Sequence, residues 1–188
     1  VIHMAKLKMI LDVEGMSGKR PYNIGYLVGD NKGNIYYEDS IALPQTIWEN
    51  LANCRQAKEM TYKNIEEILA DFGAGDARKY NYSSIADFIE TFHNILNRFK
   101  IKEIWAYNCS FDKSVITRLF GTVPMPEVEW CDIWSAVIYS RCMTQKYVNW
   151  CIENGFVTEK GNIKTSAEAV YAYMTKNQAF TILQHAGG

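Results

Sequence analysis

Apolar and polar positions alternate with period two over much of the first 42 residues, then recur at helical spacing. Met9-Ile10-Leu11 opens a strand that ends in Asp12 and Glu14. Ile24, Tyr26 and Val28 alternate with Asn23, Gly25 and Leu27, which predicts a strand over 22–28. Gly29-Asp30-Asn31-Lys32-Gly33 is rich in turn residues, and 34–42 reads as a further strand. Residues 8–42 therefore predict a three-stranded antiparallel meander, closed by Pro44. The stretch 48–69 reads as mainly helical, with Ile65, Ile68 and Leu69 on one face. Residues 71–82 hold Gly73 and Gly75 and read as a loop, either a surface connection or a mobile flap. Ile85, Phe88, Ile89, Phe92, Leu96 and Phe99 form the clearest helical stripe. Ser84-x-x-Asp87 resembles a capping box with Asp in place of Glu.

The second half alternates strand and helix. Residues 104–107 form a short apolar strand, and Asn108-Cys109-Ser110 turns it into a helix over 112–120, ended by Gly121 and Pro124. Residues 127–131 predict a fifth strand. Asp132 is placed to cap a helix over 133–141. Residues 144–153 predict an amphipathic helix with Tyr147, Val148 and Cys151 inward and Asn154-Gly155 as its C-cap. Thr165-x-x-Glu168 is a capping box opening a helix to about Thr175, a role that occupies the Glu168 carboxylate. The pattern is α/β: a mixed five-stranded sheet with helices on both faces.

Composition narrows the class. The chain has 188 residues, 48% hydrophobic and 13% aromatic, enough for one domain over 5–188. Val1-Ile2-His3-Met4 reads as a leftover ahead of a natural start. The net charge of −1 supplies no bulk field for nucleic acid, so any such binding must use a local groove. No apolar run near 20 residues and no signal peptide occur, which points to a cytoplasmic protein with no membrane partner. Cys54, Cys109, Cys131, Cys142 and Cys151 are odd in number and lack a C-x-x-C, which argues for reduced thiols, mostly small core residues.

The chemistry gathers at the first strand. Residues two apart on a strand share a face, so Asp12 and Glu14 point the same way and repel. One reading is a solvated strand end. The other is a divalent cation held between the carboxylates. Asp112 sits after a buried strand and at a helix start, where α/β folds build sites. If that strand lies beside the acidic one, three carboxylates share a pocket suited to two Mg²⁺ or Mn²⁺ ions. His93 lies within the helical stripe and reads as a surface or satisfied histidine. Asp132 reads as a cap in preference to a ligand.

At these residues the sequence resembles the DEDD superfamily of 3′–5′ exonucleases. Asp12-Val13-Glu14 matches its first motif, and Asn108-Cys109-Ser110-Phe111-Asp112 its second, in the same order and about a hundred residues apart. The resemblance runs from Lys8 to about Met174 and implies a ribonuclease H-like fold, as in the proofreading subunit of bacterial DNA polymerase III and oligoribonuclease. Lys164 to Met174 is similar to small exonucleases encoded by bacteriophages, which would place the protein in the host cytoplasm.

The resemblance implies that Asp12, Glu14 and Asp112 bind Mg²⁺ or Mn²⁺, with Asp12 bridging both ions. Asn108 would bond within the site or to the terminal nucleotide, and the backbone at Gly15 and Met16 would receive the 3′ end. Phe111 has two readings, core residue or base-stacking platform. The DEDDh branch ends with a His and an Asp five positions on. His185 is the late histidine here, the general base by resemblance, and no such Asp follows it. Three readings follow: the chain ends early, His185 is unrelated to the motif, or a stretch near 176–178 is missing from the sequence. The partners implied are 3′ ends of single-stranded DNA or RNA, with the oligomeric state open and a homodimer included. The rival readings are a nucleic-acid-binding module that has lost catalysis, another ribonuclease H-like nuclease such as an endonuclease, and a structural domain with exposed acids.

Overall fold

The computed structural model describes residues 6–16, 20–50, 59–75 and 79–176. Val1–Met4, Cys54, His185 and part of the helix expected over 48–69 lie outside them. Contacts group residues 1–131 and 132–188 into two compact units.

In the first unit the predicted meander forms. Strands β1 (Lys8–Met16), β2 (Arg20–Gly29) and β3 (Ile35–Ala42) pair antiparallel in sequence order. The turn between β2 and β3 is held by the Asp30 carboxylate, which accepts from the Lys32 and Asn34 N–H groups at 2.8 and 3.1 Å. Helix α1 (Pro44–Glu49) starts at the proline, whose fixed φ and missing N–H suit a first helical position. Helix α2 (Glu59–Gly73) runs beyond the predicted end at Leu69.

The loop expected over 71–82 is a tied connection. Asp71 accepts from the Lys79 and Tyr80 N–H groups at 2.6 and 3.1 Å and from the Tyr82 hydroxyl. These bonds lead into β4 (Asn81–Tyr82), which pairs parallel to the end of β3. The sheet therefore has six strands, one more than the pattern predicts. Two residues are too few to carry a period, so β4 leaves no signal in the sequence.

Ser84 caps α3 (Ile85–Arg98) as its capping box predicts: its hydroxyl accepts from the Asp87 N–H at 3.0 Å. His93 bonds Asn97 on the same helix at 3.1 Å. Strand β5 (Glu103–Ala106) pairs parallel to β1, at Met9–Ile104 and Ile10–Trp105. Helix α4 (Ser110–Phe120) follows, then β6 (Glu129–Asp132). The strand order is β4-β3-β2-β1-β5-β6.

Met9, Leu11 and Val13 bury one face of β1 against Phe88, Phe92, Ile95 and Leu96 of α3 and Val115, Ile116 and Phe120 of α4. A second cluster joins Met16, Tyr22 and Ala42 to Ile47 of α1 and to Ile65 and Ile68 of α2. By register Ala42 lies opposite Asn23, and Asn23 opposite Glu14, so this cluster lies toward the acidic face. Helices thus cover both faces.

In the second unit Asp132 caps α5 (Ile133–Val137), accepting from the Trp134 and Ser135 N–H groups at 3.2 and 3.3 Å. The helix predicted to 141 changes at Ile138 into a π-helical turn over Ile138–Cys142. Helix α6 (Gln145–Glu153) is capped by the Thr144 hydroxyl and ends at Gly155, whose φ of 74° needs no Cβ. Helix α7 (Ala167–Thr175) starts one residue later than its capping box implies, with Ser166 at the N-cap. The Thr165 hydroxyl also accepts from the Trp134 indole at 3.3 Å. Cys142 and Cys151 are buried in the core of this unit, and Cys109 and Cys131 are half-buried and outside any disulfide. Among the described residues no helix is long and apolar enough to cross a membrane.

Candidate functional site

The acidic end of β1 is shaped by its neighbours on each side. On the β2 side the register runs Asp12–Gly25, Glu14–Asn23, then Gly15–Pro21, which leaves Tyr22 as an extra residue in a β-bulge. Gly25 faces open space where a Cβ would stand, so nothing on β2 covers Asp12. Asp12 is exposed and Glu14 half-buried on the same face.

On the other side β5 pairs only with Met9 and Ile10. The β1 edge beyond that point has a free N–H at Val13, and a side chain takes the place of a strand. The Asp112 carboxylate accepts from Val13 N–H at 3.0 Å. Asp112 lies in the first turn of α4 and is 4% exposed. Helix α4 packs on the apolar face of β1, yet its first turn delivers this carboxylate to the strand edge between the two faces.

The three acids influence one another electrostatically. Burial pushes Asp112 up to about 7, and the charges of Asp12 and Glu14 add to it. Its own backbone N–H and that of Val13 pull the other way. Glu14 is raised by burial and then by Asp12, against a hydrogen bond from Tyr22. Asp12 is raised by the protein around it, and the Val13 N–H lowers it. One backbone N–H therefore acts on Asp12 and Asp112 together. Among the described residues no cation is a leading influence on any of the three. Among the described residues no three His, Cys, Asp or Glu side chains are gathered closely enough to hold a metal ion as they stand.

The remaining candidates cluster around this corner. Asn108 adopts a left-handed φ of 58°, which Asn tolerates, and its carbonyl accepts from Phe111 N–H at 3.3 Å. Phe111 is 37% exposed, so it is not the core residue of one reading. Its ring lies 3.0 Å from where a Cβ on Gly15 would stand. Gly15→Ala is therefore expected to displace the Phe111 ring, while costing no more than about 1 kcal/mol because the ring can swing outward. Ring resonances and thermal melting would check this; an unmoved ring would refute it. The Met16 side chain is buried in the second cluster, which leaves only its backbone to meet a ligand.

Two participants have no signal in the sequence pattern. The Tyr22 hydroxyl donates to Glu14 at 3.4 Å and accepts from the Asn64 amide of α2, also at 3.4 Å. The bulge that aims Tyr22 breaks the alternation, and Asn64 lies 42 residues away in sequence. Compared with protein-family models and with curated proteins, the chain matches none of them.

Proposed function

We propose that the protein is a metal-dependent 3′–5′ exonuclease of the DEDD type, with a ribonuclease H-like fold, acting on single-stranded nucleic acid. The observation that carries this reading is the Asp112 carboxylate held at the edge of β1, beside the face that carries Asp12 and Glu14, with the charges of both adding to its raised pKa. Three neighbouring acids with no dominant cation among the described residues form a site that a divalent ion would stabilise. The antiparallel meander led by the acidic strand, with β5 parallel beside it, supports the fold assignment.

The donor set fits Mg²⁺ or Mn²⁺, since all three side chains offer hard carboxylate oxygens. Asp12, Glu14 and Asp112 would hold the ions. When bound, such ions lower the pKa of water and neutralise charge on a phosphodiester in transition. The chain's own residues do the rest. The backbone at Gly15 and Met16 receives the 3′ end, and the exposed Phe111 ring offers a face for the terminal base. Asn108 hydrogen-bonds the terminal nucleotide. His185 is the candidate base that takes the proton of the attacking water. The products are nucleoside 5′-monophosphates.

A 5′-labelled single strand incubated with Mn²⁺ is expected to shorten stepwise from its 3′ end, while a closed circular strand survives. Cutting of the circle would assign an endonuclease. Binding without shortening would assign a nucleic-acid-binding module that has lost catalysis.

A further inference from the structure

Glu14 and Asp112 are held in different ways. A backbone N–H fixes Asp112 from within the sheet, at 3.0 Å. Glu14 sits at a register break, where the strand itself does not fix its side chain. Its Oε2 instead receives the Tyr22 hydroxyl. Tyr22 is 1% exposed and wedged among Met16, Ala42, Ile47, Ile65 and Ile68, so its ring cannot change rotamer without disturbing that cluster. A phenol has one O–H to donate. The Asn64 amide occupies the phenol oxygen as acceptor, which directs that O–H toward Glu14.

We infer that Tyr22, oriented by Asn64 of α2, is a positioning residue that aims the Glu14 carboxylate for divalent-cation binding. The inference rests on the nuclease reading above and adds that α2 belongs to the site: its Asn64 decides which way Glu14 points. Groups behind a metal ligand that orient it typically govern metal affinity by about 10–100-fold.

Calorimetric titration of Mn²⁺ into wild type, Tyr22→Phe and Asn64→Ala tests it. Tyr22→Phe keeps the ring and its packing, so its melting temperature without metal is expected to stay within a few degrees of wild type. Its Mn²⁺ affinity is expected to fall about 10–100-fold. Asn64→Ala is expected to move affinity the same way by a smaller factor, because the phenol survives but turns freely. At saturating Mn²⁺ the Tyr22→Phe defect should lie in kcat and not in KM. Unchanged Mn²⁺ affinity in Tyr22→Phe, beside a wild type that binds Mn²⁺ and shortens the oligonucleotide, would overturn the inference and leave the nuclease reading standing. A wild type that neither binds Mn²⁺ nor shortens the strand would overturn both.

Discussion

Asp12→Ala is expected to lower Mn²⁺-dependent shortening of a single strand by a factor on the order of 10³ or more. The loss follows from geometry and charge together. Asp12 is the exposed member of the three acids and shares its corner with both others. A metal ion supplies several kcal/mol of transition-state charge stabilisation, and each 1.36 kcal/mol is about tenfold in rate. The fold should survive, because the Asp12 side chain is exposed and a Cβ on the facing Gly25 would meet nothing within 4 Å. Removing one of three repelling carboxylates should leave the metal-free melting temperature equal or higher. A single-turnover assay with matched melting curves checks both halves. Retention of wild-type shortening in the variant would remove Asp12 from the chemistry and the exonuclease proposal with it.

Asp112→Asn is expected to stabilise the metal-free protein at pH 8 by roughly 2–4 kcal/mol, and to leave it unchanged near pH 4. In the folded protein Asp112 is raised from 3.8 to about 7. Between those values the folded chain holds a proton that the unfolded chain has released. Stability therefore falls as pH rises from about 4 to about 7, and the deficit persists above 7. Asparagine keeps an oxygen for the Val13 N–H and carries no charge, so the variant lacks this decline. Saturating Mn²⁺ should reverse the ranking at pH 8, stabilising wild type and leaving the variant nearly untouched. Urea unfolding at pH 4.5 and 8, with chelator or with Mn²⁺, reads all of these differences. A variant less stable than wild type at pH 8 in chelator would show that the buried carboxylate is favourably compensated, and the charge-cluster account would fail.

The two effects share a cause that also limits what a sequence can reveal. The pairing of Asp12 with Glu14 follows from strand periodicity, because period two is a property of the extended backbone itself. The same local rules place Ser84 and Asp132 as caps and Gly155 at a helix end, where a side chain oxygen or a missing Cβ meets a local backbone need. Features without a period escape: the two-residue β4, the π-helical turn at Ile138–Cys142 and the bulge at Tyr22. Thr165 shows a tertiary addition to a local motif: the helix begins one residue later than the motif implies, and its hydroxyl also meets the Trp134 indole.

By itself, then, the amino-acid order determines the meander, the helix carrying Phe88 and Phe92, and which acids lie at the end of a strand or the start of a helix. These depend on neighbours a few residues apart, where backbone geometry leaves few choices. Tertiary structure alone decides that Asp112 reaches the Val13 N–H across 99 residues of chain, and that Asn64 holds the tyrosine behind Glu14. The first depends on β5 ending its pairing at Trp105 and leaving the β1 edge open. No local rule sets where a strand partner stops, because that is settled by how the following helix packs on the sheet.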